Sequence, residues 1–168
     1  NILGDSITTD ILENIDLSWN RIEGGNSIGT KLTAIRKQYD PTRPEKIVPP
    51  LLEIRKLIVA LNDAHWRLLK LAEIDEIILA CAGVFLDAHT AAESIHPGAK
   101  FEVNLEAINR SNISISLEKV ALNGVLDTVF NKTLANNQFF STKRSCFLPV
   151  SCPISQPNWL AKPKQKGT

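Results

Sequence analysis

Three histidines (His65, His89, His96) and three cysteines (Cys81, Cys146, Cys152) have the widest chemical repertoire in this sequence. Imidazole and thiolate hold zinc or move protons only where several such groups converge. Nothing in their spacing points to convergence. There is no Cys-x-x-Cys, no His-Glu-x-x-His, no Gly-x-Ser-x-Gly, no Ser-x-x-Lys box with its partners and no phosphate loop. Asp87 and His89 are close, but two positions apart on a helix they point to different sides. They read as surface or capping groups, and no metal site is expected. Gly24-Gly25-Asn26-Ser27 precedes a helical pattern whose free N–H groups could hold an anion. With no strand before it, it reads as a plain interhelical turn.

The cysteines divide the same way. Cys81 lies in an apolar helical stretch and reads as a small buried hydrophobe. Cys146 and Cys152 would be roughly 20 Å apart on extended chain, whereas a disulfide needs α-carbons within about 7 Å. They pair only if a turn intervenes. Asn109, Asn112 and Asn131 each open an Asn-x-Ser/Thr triplet, which an asparagine-rich chain forms by chance, and none is expected to carry sugar. His65-Trp66 stands at the head of the most apolar segment. The indole there would bury a large flat surface, and the imidazole beside it could bond a helix end or a partner, although a packing Trp beside a solvated His is the plainer reading.

Composition removes whole classes of function. A net charge of +1 across 168 residues is too small for an electrostatic nucleic-acid binder. The basic end at Lys162, Lys164 and Lys166 reads as solvated tail. No run is long and apolar enough to span a membrane, since Trp66–Leu86 contains Arg67, Lys70, Glu73, Asp75 and Glu76. The chain has no methionine, and it reads as a piece of a longer protein.

The elements that must position these groups follow from period. Ile11, Ile15, Trp19 and Ile22 predict a first helix over residues 1–22, stopped by Gly24-Gly25. Ile28, Leu32, Ile35 and Tyr39 predict a second, capped by Asn26 or Ser27. Pro49-Pro50 suit the first turn of a third, with Leu51, Ile54, Leu57, Ile58 and Leu61 as its stripe. Trp66–Leu86 is the central helix, apolar around so much of its circumference that cover on several sides is expected. Asp87–Glu93 could continue it by a turn.

After His96-Pro97-Gly98 the period changes to two. Phe101, Val103, Leu105 and Ala107 form one strand; Ile113, Ile115 and Leu117 form the next; the two read as a hairpin. Asn123-Gly124 is a turn signal. Val125–Phe130 and Gln138–Thr142 are weaker strands. Cys146, Leu148, Val150, Cys152 and Ile154 share one parity, and Pro149 and Pro153 place that strand at a sheet edge. The expectation is an α+β chain: a helical half of about four helices (1–96), then an antiparallel β half (97–168) resembling part of an immunoglobulin-like sandwich.

Several phrases together carry a family likeness. They are Ile15-Asp16-Leu17-Ser18-Trp19 with Glu23-Gly24-Gly25; Leu52-Glu53-Ile54-Arg55; His65-Trp66 with Lys70-Leu71-Ala72-Glu73-Ile74; Pro97-Gly98; Ile108-Asn109-Arg110-Ser111; and Ile154-Ser155-Gln156-Pro157-Asn158-Trp159-Leu160. In this order they resemble the region after the catalytic domain in PIG-L-type (LmbE-like) deacetylase proteins of Bacteroidetes-like bacteria. Asn158 stands where that pattern would have Tyr. The family's zinc motif, of the Ala-His-Pro-Asp-Asp type, has no counterpart here, because His96-Pro97 is followed by Gly98-Ala99. No catalytic residue carries over, and zinc is expected only in the absent catalytic domain.

The resemblance implies a non-catalytic accessory module of a zinc-dependent N-acetyl-sugar deacetylase, in a family whose members are often exported to the periplasm or beyond. Its partner would be the catalytic domain of the same parent chain. The alternative is an independent glycan- or protein-binding module. For either, the candidate interaction surface is Trp19, His65, Trp66 and Trp159. A broad uncovered apolar patch would favour docking; aromatics lining a groove would favour glycan.

Overall fold

Gly83 is where the period-3.6 half of the chain gives way to the period-2 half. The computed structural model describes Leu12, residues 15–122 and residues 124–157. Gly83 takes φ 65°, and its N–H donates to the carbonyls of Ala80 and Leu79. A left-handed residue at this position is the common helix stop, and glycine adopts it without strain. One compact unit runs up to Gly83 and a second begins at Val84.

The helical unit contains α1 (Gly25–Gln38), α2 (Val48–Val59) and α3 (Ala64–Ala82), with single 3₁₀ turns at Trp19–Arg21 and Pro44–Ile47. Pro49 falls in the first turn of α2, as its missing N–H requires. Asp63 caps α3 by accepting from the Trp66 N–H at 3.0 Å. The core is Ile28 and Ile35 from α1, Leu51, Ile54 and Ile58 from α2, Ile74 and Cys81 from α3, with Leu61 from the turn between the last two. Each fully buried Ile or Leu contributes about 1.5–3 kcal/mol. Arg55 of α2 holds Asp75 of α3 with two parallel hydrogen bonds, one of 3.0 Å from Nη2.

Among the described residues there are three α-helices, where about four are expected for the whole helical half. Most of the predicted first helix, residues 1–11, 13 and 14, lies outside the described residues. Its remaining part is not helical: residues 15–17 are irregular, and one 3₁₀ turn follows. Local side chains compete here, since Asp16 accepts from the Ser18 N–H at 2.8 Å and Ser18 from the Asn20 N–H at 3.2 Å. The central helix ends four residues early, and Val84, Phe85 and Leu86 open a strand instead. Nor is it covered all round: Leu68 is 70% exposed, and Leu69, Ile77 and Leu79 are exposed as well.

The second unit holds β1 (Val84–His89), β2 (Lys100–Asn109), β3 (Ile115–Leu122), β4 (Leu126–Leu134) and β5 (Phe139–Phe147). They form two antiparallel sheets, β1-β2-β5 and β3-β4. Val103, Leu105 and Cys146 from the first are buried, and Val120, Leu122, Leu126 and Phe130 from the second pack half-buried against them. The predicted β2–β3 hairpin does not form, because β2 already has β1 on one edge and β5 on the other. β3 turns instead onto β4 around Gly124, at φ 70°. β1 lies inside the 1–96 stretch read as helical.

β5 sits at a sheet edge, but it stops at Phe147. Past it the predicted apolar stripe does not continue as strand: Val150 and Ile154 are 76% and 73% exposed. The Cys152 N–H donates to the Pro149 carbonyl at 3.0 Å, turning the chain where proline lacks a donor. All three thiols are free.

Candidate interaction surfaces

Trp19 is placed by two glycines. On α1, Gly25 and Gly29 are four residues apart and share a face. A Cβ on Gly25 would run into the carbonyl oxygen of Trp19, and one on Gly29 would sit 3.0 Å from Trp19 Cβ. The turn carrying Trp19 therefore lies flat on α1. Across from it, α3 presents Trp66 and Lys70. The Lys70 ammonium is 5.9 Å from the Trp19 ring centre and 5.8 Å from that of Trp66, and the Arg21 guanidinium stacks on Trp66 at 4.2 Å. Both indoles are half-buried. A lysine ammonium shared by two rings is a cation–π arrangement worth about 0.5–1 kcal/mol per contact where partly exposed.

Two of the four predicted surface residues, Trp19 and Trp66, are thus brought together. His65 is exposed and meets only the edge of Trp66, ring centres 5.2 Å apart. Trp159 lies outside the described residues. Arg21 and Lys70 were not foreseen as part of this cluster. Lys70 was legible only as a polar position on α3, and the other indole is 47 residues from Trp66, too far for any local pattern to register. On the far side of Trp19 a shallow groove along α1 is lined by Asn20, Asn26, Thr30, Thr33 and Lys37.

The apolar side of α3 is a second surface. Leu68, Ala72 and Leu79 recur at positions that stack on one stripe, with Leu69 further round. All four are exposed. Asp75 and Glu76 fall on this same side between Ala72 and Leu79, so the exposed apolar side chains stand beside charged ones; exposed apolar side chains grouped on one helix are a candidate interaction site.

The β unit corrects the reading of Asp87 and His89. They stand on a strand rather than a helix, so two positions apart they share a face. Glu106 is directly opposite Asp87, and Asn104 opposite His89. Ligand atoms of Asp87, His89 and Glu106 lie within 4.8 Å of one another, and among the described residues these are the ones that could take up a divalent cation.

They are also tied to one another. Asp87 Oδ2 is 3.0 Å from His89 Nδ1, Asn104 Nδ2 donates to Glu106 Oε1 at 2.7 Å, and Ser141 Oγ donates to Asn104 Oδ1 at 3.1 Å. With both carboxylates and the imidazole engaged at half-exposed positions, the cluster is a hydrogen-bonded ladder across β1, β2 and β5.

Burial pushes Cys81 and Cys146 above the ordinary thiol range. Among the described residues, no helix is long and apolar enough to cross a membrane. No family model, curated protein or solved structure matches the chain.

Proposed function

We propose that this chain is a non-catalytic interaction module that docks on a folded partner through the exposed apolar side of α3. The observation that carries the reading is the exposure of Leu68 (70%), with Ala72 and Leu79 on its stripe and Leu69 further round, beside Asp75 and Glu76. Leaving such side chains in water forfeits about 25 cal/mol for each Å² of apolar surface; a partner recovers it. The partner named by the sequence phrases is the catalytic domain of a PIG-L-type deacetylase. Co-elution of the two on a sizing column, lost in Leu68→Glu, tests the reading; separate elution at high concentration would refute that partner.

The order β1-β2-β5 supports an immunoglobulin-like reading, since A, B and E share one sheet there while C begins the other; β4 departs from the constant-type order by pairing with β3 instead of joining the sheet of β5. We read the β unit as such a partial sandwich. A second functional reading, glycan binding, is supported by one specific feature. Trp19 forms a wall of the groove whose other residues carry amides, hydroxyls and an ammonium. Quenching or enhancement of tryptophan fluorescence by chito-oligosaccharides, abolished in Trp19→Ala, tests it.

A further inference from the structure

Trp19 borders two concavities of the helical unit. One is the groove along α1, of about 610 Å³, within the range of about 300–1,000 Å³ that small-molecule sites occupy. The other is a smaller cleft of about 200 Å³, where Arg21, Trp66 and Lys70 stand. The groove carries Lys37, the cleft carries Arg21 and Lys70, and among the described residues no carboxylate lines either. Lys70 is answered by Glu73 at 2.8 Å. Among the described residues Arg21 and Lys37 form no ion pair. Asp16 lies close enough to Arg21 for their charges to interact, but it accepts from the Ser18 N–H and lines neither space. On a chain of net charge +1 this is a local excess of positive charge around one indole.

The hydroxyls of the groove select the kind of anion. Thr30 Oγ1 donates to the Asn26 carbonyl at 3.1 Å, and Thr33 Oγ1 to the Gly29 carbonyl at 2.9 Å. With their protons spent on α1, both oxygens offer a ligand only lone pairs. Lone pairs accept from O–H groups and repel an anion that is acceptor all over, such as a phosphate diester. The groove thus sets hydroxyl acceptors and an ammonium beside an indole. We propose that it takes an acidic oligosaccharide, a chain whose sugar rings carry carboxylates. The apolar face of one ring lies on Trp19, ring hydroxyls donate to Thr30 and Thr33, and a carboxylate meets Lys37. Arg21, in the cleft beyond the indole, adds to the attraction. The proposal names the sugar class for the glycan reading above and rests on it. The apolar side of α3 takes no part, so it stands or falls separately from docking.

The probe is trigalacturonate, added to the full chain at neutral pH and low salt, with its fully methyl-esterified form as the uncharged control. Tryptophan emission should report saturable binding of the acid with Kd below about 1 mM. The ester should bind at least about tenfold more weakly, and added salt should weaken the acid alone. Lys37→Gln, at an exposed position, should lose about tenfold towards the acid and nothing towards the ester. Leu68→Glu should bind the acid like the parent chain. Equal binding of acid and ester, full affinity for the acid in Lys37→Gln, or binding of chito-oligosaccharides without the acid would each overturn the proposal and leave the glycan reading standing. No saturable response to acid, ester or chito-oligosaccharide would overturn both.

Discussion

The side-chain amide of Asn109 donates to the backbone carbonyl of Leu134 at 3.1 Å, joining the end of β2 to the end of β4 across the two sheets. The same nitrogen donates to the Ile113 carbonyl at 2.9 Å, and Asn109 Oδ1 accepts from the N–H and hydroxyl of Ser111 at 3.0 and 3.1 Å. Asn109 is 1% exposed. This one side chain therefore sets the crossing from the first sheet to the second, where a hairpin would otherwise have kept β3 beside β2.

Asn109→Ala should accordingly cost about 2–4 kcal/mol, because it leaves the buried Leu134 carbonyl and the half-buried Ile113 carbonyl and Ser111 N–H without their partner. Asn112→Ala, at an exposed position three residues on, should change stability by less than about 0.5 kcal/mol. Urea midpoints of the two variants check this. The burial of Asn109 also keeps its amide out of reach of glycosylation in the folded chain.

Much of this was legible and some was not. The alternation Val103, Leu105, Ala107 announced a strand with one buried face, and the stripe Leu51, Ile54, Ile58 announced α2, because each period is local. The partner of β2 was not legible. Adjacency in sequence favours a hairpin with β3, and only the long-range pairing with β5 and the anchor at Asn109 decide otherwise. At Gly83 a stop signal was present, but Val84, Phe85 and Leu86 also continue a helical apolar pattern. That error placed Asp87 and His89 on a helix and so on opposite sides. The meeting of Trp19 and Trp66 depends on Gly25 and Gly29, read from sequence only as turn and helix positions.

Gly25→Ala is predicted to destabilise the helical unit by about 1–3 kcal/mol despite the better helix propensity of alanine. The added methyl meets the Trp19 backbone carbonyl, which cannot rotate away as a side chain could. Thermal unfolding followed by tryptophan emission measures both the loss and the displaced indole. Ala34→Gly, on the exposed side of α1, should cost only about 1 kcal/mol of propensity.

Thiol labelling at pH 7.5 should modify Cys152 first, since Cys81 and Cys146 are 9% and 4% exposed and burial favours their neutral form. The sign for stability follows. A thiol with its folded pKa raised leaves stability intact below the ordinary value of about 8.5 and erodes it as pH climbs through and above that value. The reduced chain should lose stability between pH 8 and 9.5. A variant carrying Cys81→Ala and Cys146→Ala should lose less over the same interval, as urea midpoints at the two pH values would show.

Docking through α3 is tested most directly by calorimetric titration of a PIG-L-type catalytic domain with the parent chain and with a Leu68→Glu, Leu79→Glu variant. The two leucines are exposed, so the variant should keep its fold, with circular dichroism and unfolding midpoint close to those of the parent. The account predicts saturable binding by the parent chain with a negative heat-capacity change, the mark of apolar burial, and a loss of affinity of at least about a hundredfold in the variant. Equal affinity of the folded variant, or no heat from the parent chain, would contradict it.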